Sequence, residues 1–213
     1  MVMSDHSDGD NLDKGRAMST QAQAVGRTAE AATWKSRALV GLLVVQIIVG
    51  FEFFWTVLVK LVRGGFVAGL AADLEDRVQA APGWYRSLAD SVIIPNASLF
   101  GYLIIIGELF VGITLIVTAI VWLARWESLS RPARRTLVAL IVLAGAAALA
   151  MNLNYHIANG ATNPWQLPTG VFDEGVDINT VFSLIDATIV VVMAGVLLSL
   201  RGAPKAGAGK TDV

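Results

Sequence analysis

Residues 101–121 read GYLIIIGELFVGITLIVTAIV, twenty-one residues with a single charged side chain, Glu108. As an α-helix rising ~1.5 Å per residue, such a run crosses the ~30 Å hydrocarbon core of a bilayer. The apolar signal extends outward to about Ser98 and Ala124. Three further runs share the pattern: about Ala38 to Val62, about Arg135 to Asn154 and about Ile178 to Leu200. Of 213 residues, 55% are hydrophobic and 15% charged, a composition that a water-soluble domain of this length does not carry. The expected fold is therefore all-α, an integral membrane four-helix bundle occupying residues 36–201, with the lipid bilayer as its first partner. The polar, repeat-free residues 1–35 and 202–213 read as flexible tails, because they cannot bury enough apolar surface to offset the entropy of ordering. The acidic start, with Asp5, Asp8, Asp10 and Asp13, is unlike a signal peptide.

Between the first two spans, Phe66, Leu70, Leu74 and Val78 recur every fourth residue, which predicts an amphipathic helix lying at the membrane interface in the first outer loop. Trp84 and Tyr85 after Pro82-Gly83 suit the headgroup zone, while Trp55 is deep enough to pack within the bundle. Pro95-Asn96-Ala97-Ser98 reads as a stop followed by a cap, with Asn96 or Ser98 covering the first amides of the second span. Lys14, Arg16, Arg27, Lys35 and Arg37 precede the first span, Arg125, Arg131, Arg134 and Arg135 separate the second and third, and Arg201, Lys205 and Lys210 end the chain. By the positive-inside rule both termini are expected in the cytoplasm; a prokaryotic plasma membrane is the expected location.

The informative residues are acids inside the apolar runs: Glu52, Glu108 and Asp186. A charge at bilayer depth is costly unless paired, hydrated or protonated, so each marks a functional-site candidate. Counted from the outer helix ends they lie at matching depth: Glu52 roughly 12 Å below Lys60, Glu108 roughly 15 Å below Ser98 and Asp186 roughly 12 Å below Ile178. Gly101, Glu108 and Gly112 share one face of their helix, Asn179, Ser183 and Asp186 another, and Glu52, Thr56 and Lys60 a third. Asn152, Asn154, Tyr155 and His156 crowd the outer end of the third span. The expectation is one polar pocket in the outer half of the bundle, in which Glu52, Glu108 and Asp186 handle protons while Lys60, Asn152, Asn154, Ser183 and His156 bind. Three like charges so placed do not all stay ionised, and Lys60 or His156 would be their counter-charges. The structural alternative has Glu52 reaching Lys60, with Glu108 and Asp186 accepting interhelical hydrogen bonds.

Other chemistries find little support. The chain has no cysteine, which excludes thiol exchange and thiolate-held iron-sulfur clusters. His156 is the one histidine outside the N-terminal tail, which rules out a bis-histidine haem, and no Glu-x-x-His pair is present; no metal is expected. There is no glycine-rich phosphate loop, and no sign of nucleic-acid binding.

Three places resemble the DoxX-like membrane proteins, a family that includes the small DoxD-type subunit of thiosulfate:quinone oxidoreductase. The first span has an Arg37 start, Gly50 and a Lys60-Leu61 end. The second carries Gly107-Glu108-Leu109-Phe110-Val111-Gly112. The third ends in Met151-Asn152-Leu153-Asn154-Tyr155-His156-Ile157-Ala158-Asn159-Gly160, followed by Thr162-Asn163-Pro164. The resemblance covers residues 37 to 200 and departs from the family pattern in an extended loop, Gln166 to Glu174, and a long N-terminal tail. It implies quinone-linked oxidation of thiosulfate or thiols, with a quinone as electron acceptor and another membrane or extracytoplasmic redox subunit alongside. Two other functions remain open from the residues: a non-catalytic scaffold or assembly subunit of a larger complex, and a small proton-coupled transporter, although no inverted repeat or broken helix is evident.

Overall fold

The computed structural model describes residues 37–160 and 177–201, which are helical throughout apart from short turns. The expected tails, the Asn163-Pro164 motif and the acidic loop residues Asp173 and Glu174 lie outside the described residues. Two units are separable. In Met1–Leu43 the described part is the first turns of helix α1, and Val44–Val213 holds the rest.

Among the described residues four helices are long and apolar enough to cross a membrane: α1 (Arg37–Arg63), a continuous helical stretch over Gly83–Ser128, and those over Arg131–Ala158 and Ile178–Ser199. Between α1 and the second stretch lies α2 (Phe66–Arg77). The second stretch is composite: α3 (Gly83–Leu88), a π-turn over Ala89–Ile93, a 3-10 turn over Ile94–Asn96, and α4 (Ala97–Arg125). α5 is Arg131–Ala158 and α6 Ile178–Ser199. Val44, Ile48, Phe51 and Trp55 on α1, and Leu99, Leu103, Ile106, Phe110, Ile113, Val117 and Ile120 on α4, leave long apolar stripes exposed. Stripes of that extent would drive a protein out of water and suit lipid contact.

The bundle is drawn together by its small residues. Where α1 crosses α4, a Cβ added to Gly112 would stand 2.8 Å from the Phe54 backbone nitrogen and 3.0 Å from the Gly50 carbonyl, so the two backbones touch. Lower on the same seam Gln46, fully buried, donates from Nε2 to the Leu115 carbonyl (2.8 Å) and to Thr118 Oγ1 (3.0 Å). α5 meets α6 at Gly145, where an added Cβ would lie 3.1 Å from Val190, and Ala144 and Ala148 beside it on α5 are fully buried. At one end of the bundle Arg131 donates to the Leu200 carbonyl at 2.7 Å, a cation on the carbonyls that end α6. Trp126 there stacks on Trp122 at 3.8 Å and lies under Arg134.

Several sequence expectations change. Pro95 does not stop the chain: the π-turn before it absorbs the missing N–H, helical turns run into α4, and Asn96 donates to the Val92 carbonyl instead of capping. α5 begins at Arg131 rather than Arg135, because Ser130 caps it and Pro132 sits in its first turn. It continues past Asn154 to Ala158, since the polar residues there face partners within the bundle, and ends at Gly160 (φ 73°), where any Cβ would strike the Ala80 carbonyl. Trp55, expected to pack inside, is 56% exposed and stacks on Phe51 on the outward stripe. Tyr85, placed by sequence at the headgroups, is 3% exposed and buried with Val78, Ala81, Ala89 and Ala158; Trp84 beside it is exposed.

Candidate functional site

Near the ends of α1, α4 and α5 that approach α2 the helices leave a cavity of 510 Å³. Gly64 and Gly65, both at positive φ (68° and 73°), turn the chain sharply after α1, and this reversal lays α2 back over the bundle. α2 docks where α4 has no side chain: a Cβ on Gly101 would meet Val67 Cα at 3.2 Å. The stripe Phe66, Leu70 and Leu74 then walls the cavity, with Phe100 and Ile104 of α4 opposite and Asp73 and Arg77 among the polar groups of the lining. Arg77 is held by Asp73 (2.7 Å) and reaches Asn159 Oδ1 at 3.3 Å.

The innermost lining residues of α1, α4 and α5 are Thr56, Glu108, Asn154 and Tyr155. Glu108 is the hub. It is 1% exposed, both its carboxylate oxygens lie 2.5 Å from Lys60 Nζ, and Tyr155 donates its hydroxyl to Oε1 at 2.8 Å. Lys60 also lies 4.6 Å from the Phe66 ring centroid, so its charge meets a carboxylate and an aromatic face. Tyr85 donates to Asn154 Oδ1 at 3.0 Å, adding a second phenol to the lining. A cavity of this size with apolar walls and a few convergent polar groups has the make-up of a small-molecule site.

The predicted residues divide between this cavity and its surroundings. Lys60, Glu108 and Asn154 line it, whereas Glu52 does not. Glu52 takes a hydrogen bond from Thr56 (3.4 Å to Oε1) and lies close enough to Glu108 and Asp186 for their charges to interact. It does not reach Lys60 as the structural alternative had it, because Lys60 is taken by Glu108. Asp186 is fully buried behind Asn152, whose Nδ2 donates to Oδ2 at 2.8 Å. Ser183 donates to the Asn179 carbonyl of its own helix. His156 turns to α6, its Nδ1 lying 3.0 Å from Asp177 Oδ2 and 3.3 Å from Thr180 Oγ1. Asp177 caps α6 by accepting from the Thr180 amide at 3.0 Å. Burial alone would raise the Asp177 pKa, but hydrogen bonds from His156, Thr180 and Asn179 and the electrostatic attraction of His156 outweigh it, and the carboxyl lies below the ordinary aspartate value. Neither His156 nor Ser183 lines the cavity.

Tyr155, which the sequence placed only in the polar crowd at the outer end of the third span, and Tyr85, which it placed at the headgroups, both join the site. Tyr155 carried a signal, since it stands three residues after Asn152 on the crowded helix end. Tyr85 carried none, because its partner Asn154 is 69 residues away in sequence. Among the described residues no group of three or more His, Asp or Glu is placed to hold a metal ion. Comparisons with models of known protein families, with curated proteins and with solved structures find no match to this chain.

Proposed function

We propose that the chain is a DoxX-like integral membrane protein of a prokaryotic plasma membrane, with both termini cytoplasmic and α2 resting at the outer interface. In this reading the 510 Å³ cavity takes a quinone headgroup, in support of thiosulfate or thiol oxidation. The observation that carries it is the Lys60–Glu108–Tyr155 cluster at the inner end of an apolar-walled cavity. A quinone suits that combination: an apolar ring and tail against Phe66, Leu70, Leu74, Phe100 and Ile104, and carbonyl oxygens toward groups that have protons to give. The bound quinone would supply the electron-accepting ring. The chain supplies orientation, exclusion of water and protons, from the Lys60 ammonium and the Tyr155 hydroxyl, with Glu108 holding both in place. Such positioned acids contribute about 10²-fold or more to a rate. With no cysteine in the chain, electrons come from the reduced sulfur compound or from a partner redox subunit.

The test is quinone reduction by thiosulfate or thiols, measured on protein purified in lipid nanodiscs with its co-purifying subunits. Glu108→Gln and Tyr155→Phe should each lower the rate by about 10²-fold. Absence of binding of a short-chain benzoquinone, or wild-type rates in both variants, would remove this reading.

A scaffold or assembly subunit is the second reading, favoured by the saturation of Glu108 by internal partners, as in an interhelical clamp. Its mark would be a stable extracted complex whose activity survives neutralisation of Glu52, Glu108 and Asp186. Proton-coupled transport is the third, and flux in liposomes addresses it.

A further inference from the structure

Next to the Lys60–Glu108 pair is a second cavity of 150 Å³, whose polar lining is Glu52, Thr56, Glu108, Asn152, Tyr155 and Asn179. Thr56, Glu108, Tyr155 and Asn179 belong to both cavities and form the partition between them. The smaller one has room for several waters and more than enough polar partners to hold them.

The inventory of charge around it does not balance. Glu52 comes from α1, Glu108 from α4 and Asp186 from α6, and the cation among them, Lys60 of α1, is committed to Glu108. Tyr155 of α5 is a neutral donor to the same carboxylate, and Arg77 of α2 is paired with Asp73. Among the described residues Glu52 forms no ion pair, Lys60 acting on it only as a charge at a distance, and its single side-chain hydrogen bond there is the long one from Thr56. Asp186 is 0% exposed, and its Oδ1 has no partner among the described residues, while Asn152 links its Oδ2 to the chamber lining. The orphaned buried oxygen of Asp186, one hydrogen-bonded residue away from a polar cavity, points to water as its ligand, and a carboxylate at bilayer depth outside any ion pair is relieved by taking up a proton.

We propose that the 150 Å³ chamber is a hydrated proton-loading site in which Glu52 is a protonated carboxylic acid at neutral pH, linked through water to Glu108. In the transfer step the Glu52 O–H bond breaks as a water accepts that proton and releases another to a Glu108 oxygen. Glu52 is left as the carboxylate and is reloaded when a chamber water passes it a proton and takes up another from bulk solvent in its place, so that no hydroxide is left behind and no electron is moved. Use of that proton on a ligand in the larger cavity rests on the quinone reading; hydration and loading do not.

Infrared spectroscopy of the full chain in lipid nanodiscs, without added ligand, reads the proposal directly. Wild type at neutral pH should show a protonated-carboxyl carbonyl stretch that shifts promptly in D₂O, because chamber water exchanges. Glu52→Gln should abolish that component, and Glu52→Asp should keep it at a displaced frequency, which also serves if Glu52→Gln does not fold. A wild-type spectrum without the band, a band untouched by both Glu52 variants, or one that shifts in D₂O only on unfolding would overturn the proposal. A band that disappears in Asp186→Asn but not in Glu52→Gln would overturn it as well. Binding of a short-chain benzoquinone is measured separately, so its failure alongside an intact Glu52 band would remove the quinone reading alone.

Discussion

At the scale of single residues, the Lys60–Glu108 pair decides most. With side chains 16% and 2% exposed, neither charge has much water to fall back on. Lys60→Met should destabilise the folded protein by about 3–5 kcal/mol, because it strands a buried carboxylate, whereas Lys60→Met with Glu108→Met should recover most of the loss by replacing the pair with apolar volume. Unfolding of both variants in mixed micelles would show it; equal losses would mean that the pair is not coupled. The double variant also separates roles, since a clamp survives it and a proton donor does not. Asp177 gives a pH-dependent prediction. Its folded pKa is lowered, so its contribution to stability is present above the ordinary aspartate value and fades as pH falls through the folded one. Asp177→Asn should thus lower Tm at neutral pH, with the gap from wild type closing on acidification below the ordinary aspartate range. A gap of constant size across that range would assign the effect to capping alone. Glu52, Glu108 and Asp186 stood out in the sequence because acids are rare in apolar runs. Which acid takes Lys60 was not legible, since Glu52 and Lys60 share a helix while the true partner lies 48 residues away.

At the scale of helices, glycine spacing was the most readable signal and gives the sharpest test. A Cβ at Gly112 would meet backbone atoms at 2.8–3.0 Å, and backbone cannot swing aside as a side-chain end can. Gly112→Ala should therefore cost about 1–3 kcal/mol in overpacking. Gly195, with nothing within 4 Å of its added Cβ, should accept Ala at no loss. Gly160→Ala should be worse than either, since it combines a positive φ with contact against the Ala80 carbonyl. Thermal unfolding of the three variants orders them, and a Gly112→Ala protein as stable as Gly195→Ala would refute the close crossing of α1 and α4. Helix ends were less legible. Pro95 reads as a stop by local rules, yet a π-turn carries the helix through it. The asparagines of α5 read as a helix end by hydropathy, yet Asn152 is spent on Asp186 and Asn154 on Tyr85. Hydropathy measures the average solvent of a segment, and these side chains find polar partners inside the bundle.

At the scale of the whole molecule, the four spans could be read from composition because lipid imposes its demand on every turn of a helix, whereas the cavity depends on α2 folding back, which a fourfold apolar repeat only hints at. The orientation proposed here can be settled with the chain's own chemistry. One end of the bundle gathers Arg125, Arg131, Arg134, Arg135 and Arg201, with Glu127 as the acid among them. The other mixes Lys60, Arg63, Arg77 and Arg86 with Asp73, Glu75, Asp76, Asp90 and Asp177. Under the proposed orientation, with the more basic end retained on the cytoplasmic side, α2 and both cavities would lie in the outer half. Since the chain contains no cysteine, any introduced one is a unique reporter. Gln79→Cys, on the turn after α2, and Ser128→Cys, between α4 and α5, both stand at exposed positions at opposite ends. A membrane-impermeant thiol reagent applied to intact cells should label the first and reach the second only after permeabilisation. The reverse pattern would turn the bundle over, put the Lys60–Glu108 cavity on the cytoplasmic side, and require a cytoplasmic donor or partner in place of an extracytoplasmic one.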